Sequence, residues 1–142
     1  MEINAYKCDM KKLLGEWERV DEYVHACHEF KEDEDGSDAV ARLANLSERG
    51  AEILATLANM TFSTAPPTAL KEFIEEVVTL QMEAIGHAVQ AIEHAANEDV
   101  PASEASMEKY RAVDADIFER VRWLYFVAGT SRAMLFGEQE VL

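Results

Sequence analysis

Apolar residues recur three and four positions apart through most of this chain, and this spacing restricts its fold more than any other feature. The residues of the first such segment are Met10, Leu13, Trp17, Val20, Val24 and Cys27. Residues with this spacing form one stripe along an α-helix, because three or four residues make about one turn. The spacing recurs in three later segments, and no stretch shows the alternation of a β-strand. The sequence therefore predicts an all-α fold.

Three polar or proline-containing stretches separate the helical segments. They are the acidic run 32–37, the stretch around Pro66 and Pro67, and the residues before Pro101. Proline interrupts the interior of a helix but is tolerated in its first turn, so these stretches are expected to be connections. The predicted helices lie at about 9–31, 37–60, 68–97 and 101–136.

The length and the short connections together predict the architecture. A chain of 142 residues has the length of one domain. Amphipathic helices joined by short connections are typical of up-and-down bundles. We therefore predict that residues 1–142 form a single-domain antiparallel up-and-down four-helix bundle with a long C-terminal helix.

The connection 61–66 between two successive helical hairpins resembles that of the PhoU-like bundles of phosphate regulation. Those bundles bind metal through Glu-x-x-x-Asp pairs. At the corresponding positions this chain has Ser47 and Ala51. The resemblance therefore implies a helical bundle without that metal chemistry.

Acidic residues dominate the charge of the chain. It has 28 Asp and Glu against 13 Lys and Arg, a formal net charge of −15, and 49% of its residues are hydrophobic. The apolar content excludes a disordered acidic tail, and the negative charge disfavours binding to nucleic acid or anionic membranes. There is no readable secretory signal and no apolar run long enough to span a membrane. With only Cys8 and Cys27, no disulfide framework is expected, and we predict a cytoplasmic protein.

The acidic charge is concentrated on the first and third helices. Residues 16–38 contain ten acids and two bases, residues 71–99 seven acids and one base, and residues 109–132 three acids and five bases. These faces either serve solubility alone or attract a basic partner by resembling the charge of a nucleic acid. The candidate acidic surface consists of Glu18, Glu22, Glu29, Glu32, Asp33, Glu34, Asp35, Glu76 and Glu83.

Catalytic and metal-binding patterns are weak in this sequence. No glycine-rich phosphate loop or nucleophile motif is present. Glu22 and His25 have the Glu-x-x-His spacing of metal-binding bundles, and Glu83 and His87 share one side of the third helix. The phase of the apolar stripes points most of these side chains away from the core. We therefore expect ordinary solvated histidines, no cofactor and no enzymatic activity, with a metal site as the alternative.

Two polar residues interrupt the apolar faces. Gln81 lies near the middle of the third helix's apolar face, and Asp114 lies on the face of the fourth. Both are predicted to be buried, where a polar group requires a partner. They either form a polar layer that fixes the helix register or line a binding pocket.

The end of the fourth helix is apolar on nearly all sides. Several large side chains there point away from the core stripe, and arginines flank them. A long helix of this kind is expected to extend beyond its bundle unless residues 129–131 break it. Tryptophan and arginine are enriched at the energetic centres of interfaces. The predicted interface consists of Arg120, Arg122, Trp123, Phe126, Val127 and Met134.

These observations favour a non-catalytic acidic protein that acts through protein–protein interaction, as a regulator or inhibitor. Its expected partner is a protein with a basic surface, and the end of the fourth helix is expected to form a homodimer. One alternative is an inhibitor that mimics nucleic acid and blocks a basic nucleic-acid-binding protein. The other is a bundle that binds a metal or a small ligand, using the Glu and His residues above or the region of Asp114.

Overall fold

The computed structural model describes residues 2–30, 36–62 and 65–136. This part of the chain contains helices and short connections, with no strand. The helices pack against each other, so the predicted all-α four-helix bundle is confirmed. The elements are α1 (Glu2–Phe30), α2 (Gly36–Ala58), α3 (Ala65–Ala96) and α4 (Val100–Phe136).

Two helices begin earlier than the periodicity predicted. α1 begins at Glu2 rather than near residue 9, because Tyr6 continues the stripe one turn before Met10 and packs against the core. α3 begins at Ala65, with Pro66 and Pro67 in its first turn. Proline is tolerated there because the first backbone N–H groups of a helix have no acceptor within the helix.

α3 is the central helix of the packing. It contacts each of the other three helices, and most extensively α4. Its side chains Ile74, Val77 and Val78 are almost completely enclosed. They meet the stripe of α1, including Leu13 and Val20, in one continuous core.

α4 runs antiparallel to α3 because the turn between them is sharp. Glu98 adopts a left-handed conformation with φ of 61°. The backbone N–H of Asp99 donates to the carbonyl of His94 at 2.9 Å, and the Asp99 carboxylate accepts from the backbone N–H of Ala102 at 3.3 Å. The end of α3 and the beginning of α4 are thereby both capped. Across the two helices, the Ser103 hydroxyl donates to the carbonyl of Ala91 at 2.9 Å.

Side chains provide the main connection between α1 and α4. Their backbones do not pack closely, in contrast to the pairing of α4 with α3. The Tyr125 hydroxyl donates to the Asp21 carboxylate, and its ring stands edge-on to Trp17 with centroids 5.8 Å apart. Arg132 reaches Glu18 at 3.6 Å. The separation of these two helices leaves an open strip along one side of the bundle.

No helix in the described ranges has the length and apolarity needed to cross a lipid bilayer.

Gly50 allows α2 to approach its neighbours closely. A Cβ added to Gly50 would lie 2.5 Å from the Tyr23 hydroxyl and 2.8 Å from Cγ of Met82. Tyr23 is completely enclosed and cannot move aside without disturbing the core. A residue without a side chain is therefore required at this position for the observed packing.

We expect Gly50→Ala to destabilise the fold, although alanine is the better helix former. The overlap costs about 1–3 kcal/mol in a packed core, which exceeds the gain in helix propensity of about 0.5–1 kcal/mol. Gly86→Ala is the matched control, because nothing lies within 4 Å of its added Cβ. Urea unfolding should show a loss of about 1 kcal/mol for Gly50→Ala and a gain for Gly86→Ala. An equal gain in both variants would contradict the close approach.

Candidate functional site

The C-terminal half of α4 exposes an unusual number of large apolar side chains. Phe126 is 70% exposed and Met134 79%, while Trp123 is 50% exposed. Large contiguous apolar patches are uncommon on monomeric proteins and mark sites of interaction. We call this surface the α4 aromatic face, and it consists of Phe118, Trp123, Tyr125, Phe126 and Met134.

One edge of the α4 aromatic face is anchored on α3. The ring of Trp123 packs against the ring of Phe73, with 4.9 Å between their centroids. The Arg120 guanidinium lies 5.6 Å from the centroid of the Phe73 ring. Arg120 also pairs with Glu76 of α3 and, at 3.0 Å, with Asp116. Arg120 therefore holds α4 against α3, and part of the Trp123 ring remains open to solvent.

Arg122 is the most accessible arginine of the predicted interface. Its guanidinium lies 3.9 Å from Glu119 and 5.9 Å from the centre of the Phe118 ring. Both charged side chains are mostly exposed, so their ion pair is weak. Val127, by contrast, is half-buried. The helix continues without a break through Gly129, so these residues all lie on one uninterrupted helix.

Phe118 and Tyr125 belong to this face although the sequence interpretation did not include them. Phe118 is four residues before Arg122 and eight before Phe126, so all three lie along the outward side of α4. Following the outward side at intervals of four would have identified it. Tyr125 lies seven residues after Phe118 and therefore on the same side, and contacts with Asp21 and Trp17 of α1 hold its side chain.

The acidic surface is partly used within the bundle. Glu18, Glu22, Glu29, Glu76 and Glu83 are exposed, as their positions predicted. Two of them, Glu18 and Glu76, pair with arginines of α4. The other four candidates, Glu32, Asp33, Glu34 and Asp35, lie outside the described residues.

The candidate metal ligands lie on two separate helices. On α1, Nδ1 of His25 is 2.9 Å from the Asp21 carbonyl oxygen, and Glu22 points to solvent. On α3, Nε2 of His87 is 3.6 Å from the Glu83 carboxylate. Within the described ranges, no three His, Cys, Asp or Glu side chains are grouped so that they could hold a metal ion.

A cleft opens where α1 and α4 stand apart, and we call it the α1–α4 cleft. Its volume is about 200 Å³. Val24 of α1 and Ile117 and Val121 of α4 line its apolar walls, while Gln81 of α3 and Asp114 of α4 contribute polar groups. His25, His28, Phe118 and Tyr125 complete the lining.

The two predicted buried polar residues have different environments. Gln81 is only 5% exposed, as its position in the apolar face predicted. Asp114 is half-buried, so the prediction that it is enclosed in the core was wrong. The reason is the distance between α1 and α4, which leaves this side of α4 open to the cleft. Asp114 also borders a wider groove along α4, next to Tyr110 and Arg111.

One thiol and three tyrosine hydroxyls of α1 and α4 remain protonated at neutral pH. Burial raises the pKa of Cys27 to about 12 and that of Tyr23 well above its ordinary value. Burial, followed by the nearby Asp114 carboxylate, raises the pKa of Tyr110 to about 12. Burial and the hydrogen bond to Asp21 raise the pKa of Tyr125 to about 12. Cys27 therefore does not supply a thiolate nucleophile at neutral pH.

The two cysteines should differ in their reaction with a disulfide reagent. Cys8 is exposed and Cys27 is buried, with its thiolate disfavoured. At pH 8 the native protein is expected to react rapidly at one thiol, and at the second at least about 100-fold more slowly. Cys8→Ser should abolish the rapid phase, and denaturation should make both thiols reactive. Equal rates for the two thiols in the native protein would contradict the enclosed position of Cys27.

The same burial predicts a loss of stability at alkaline pH. The Cys27 thiol ionises near 9.0 when it is free of the fold and near 12 within it. The unfolded chain therefore holds fewer protons above pH 9, and the free energy of unfolding falls as pH rises, by about 1.4 kcal/mol per unit for this group. Urea unfolding at pH 8 and pH 10.5 would measure the fall. Cys27→Ala should reduce it, and an unchanged fall would exclude Cys27 as its source.

No family model, curated protein or solved structure matches this chain. The resemblance to PhoU-like bundles therefore receives no support.

Proposed function

We propose that this chain is a non-catalytic binding protein that acts through protein–protein contacts, as a regulator or inhibitor. The observation that carries the proposal is the α4 aromatic face, where Phe126 and Met134 are more than two-thirds exposed. Exposure of so much apolar surface on one helix is unfavourable in water unless a partner covers it. Arg122 beside the aromatic rings adds a residue type that is enriched at interface centres.

The partner that best fits the α4 aromatic face is a second copy of the chain. With a net charge of −15, two copies repel each other over most of their surfaces. Residues 109–132 are the exception, with five bases against three acids. A two-fold dimer through α4 would therefore join the least acidic surfaces and cover the apolar ones.

Such a dimer would leave the acidic faces available for a basic protein. On α1, the exposed carboxylates of Glu18, Glu22 and Glu29 lie along one side, since they are spaced by four and seven residues. Carboxylates in this arrangement would accelerate association with a basic surface, in a manner that salt weakens. An inhibitor that occupies the nucleic-acid groove of a basic protein is one form of this function.

We expect Phe126→Glu to convert the dimer to monomers. The side chain is 70% exposed, so a glutamate there does not disturb the core, but it would place a charge in the proposed interface. Light scattering should report about twice the chain mass of 15.9 kDa for the parent and the chain mass for the variant.

Val100→Glu is the matched control for this experiment. Val100 is also an exposed apolar residue of α4 but lies at the opposite end of the helix. It should leave the dimer intact. A monomeric parent, or an unchanged mass for Phe126→Glu, would refute self-association through the α4 aromatic face.

A further inference from the structure

Gln81 is a buried amide at an apolar position. It lies in the face of α3 that supplies the core residues Val77, Val78 and Ala84, and it is 95% removed from solvent. Within the described residues its side chain has no hydrogen bond or ion pair to another group, whereas Asp114 does have an interaction. Among the described residues, the Tyr23 hydroxyl is the only fully enclosed side-chain polar atom without a hydrogen-bond partner, so the Gln81 carboxamide keeps contact with the solvent of the cleft that it lines.

The Gln81 side chain forms part of the wall of the α1–α4 cleft. Gln81 is the residue of α3 that lines the cleft, and Val24, Ile117 and Val121 form apolar walls around it. The cleft is open to solvent, so a molecule can reach the carboxamide. An apolar cleft with a few convergent polar groups is the usual form of a small-molecule site.

We propose that the α1–α4 cleft binds a small, planar, uncharged molecule that carries an amide or an equivalent adjacent donor and acceptor. The Gln81 carboxamide offers both an N–H donor and a carbonyl acceptor. It therefore matches such a group through two hydrogen bonds, while a ring occupies the apolar space. Phe118 and Tyr125 belong both to the lining of this cleft and to the α4 aromatic face, so the cleft lies next to the proposed dimer interface.

Size and charge restrict the ligand further. A volume of about 200 Å³ is below the roughly 300–1,000 Å³ of sites for larger ligands, so a single ring or a small fused ring fits. Asp114 on the wall and the net charge of −15 disfavour anions. His25 and His28 line the same cleft and contribute further polar groups.

Benzamide is a suitable probe, because it combines one aromatic ring with a primary amide. In a titration followed by methyl NMR, benzamide should shift the signals of Val24, Ile117 and Val121 to saturation, with a Kd at or below about 1 mM. Benzoate has the same shape but a negative charge and no N–H donor, and it should bind at least about tenfold more weakly. No saturable shift of the three signals with benzamide, or equal binding of benzoate, would overturn the proposal.

Substitution of Gln81 separates the amide interaction from simple apolar binding. Gln81→Leu should weaken benzamide binding at least about tenfold while toluene still binds in the cleft. Gln90→Leu removes an exposed amide from the same helix and should leave benzamide binding unchanged. If circular dichroism shows that Gln81→Leu is not folded, Gln81→Met provides the same test with an unbranched side chain. Parent-like affinity for benzamide in the folded Gln81 variant would overturn the role of the carboxamide.

Discussion

The packing of the other three helices on the apolar face of α3 is the interaction on which the structure depends. Ile74, Val77 and Val78 are enclosed there, and burial of each such side chain stabilises the fold by about 1.5–3 kcal/mol. α4 joins the bundle mainly through this face, and its backbone does not pack closely on α1. The α1–α4 cleft and the exposed side of α4 both result from that one-sided attachment.

The ion pairs of α4 determine how this helix is placed against α1 and α3 more than they stabilise the fold. The arginines of α4 reach acids on both neighbouring helices, through Arg120 to Glu76 and Arg132 to Glu18. Ion pairs with exposed members contribute only about 0–1 kcal/mol each. Their main effect is to join the least acidic helix to two acidic ones, and Phe73 of α3 contacts both Trp123 and Arg120. The aromatic rings beyond that contact remain available to a partner.

The candidate sites were only partly predictable from the sequence. The outward positions of Phe126 and Met134 follow from the helical period, because these residues lie off the core stripe of α4. The enclosure of Gln81 follows from the same period on α3. Asp114 lies close to the stripe and was expected in the core, but the neighbouring helix that would have covered it stands too far away. The contacts of Tyr125 with Trp17 and Asp21 could not be predicted, since they join residues more than one hundred positions apart.

The sequence by itself determined the four helices, their apolar sides and the acidic character of α1 and α3. These are local properties, because one turn of a helix fixes which residues share a side. Only the tertiary structure decided which side of each helix a neighbour covers. That choice depends on the distance between helices, and it separates α1 from α4 so that Gln81 borders a cleft rather than a sealed core. Phe118 and Phe126 remain exposed to solvent because no other described helix lies over the outer side of α4.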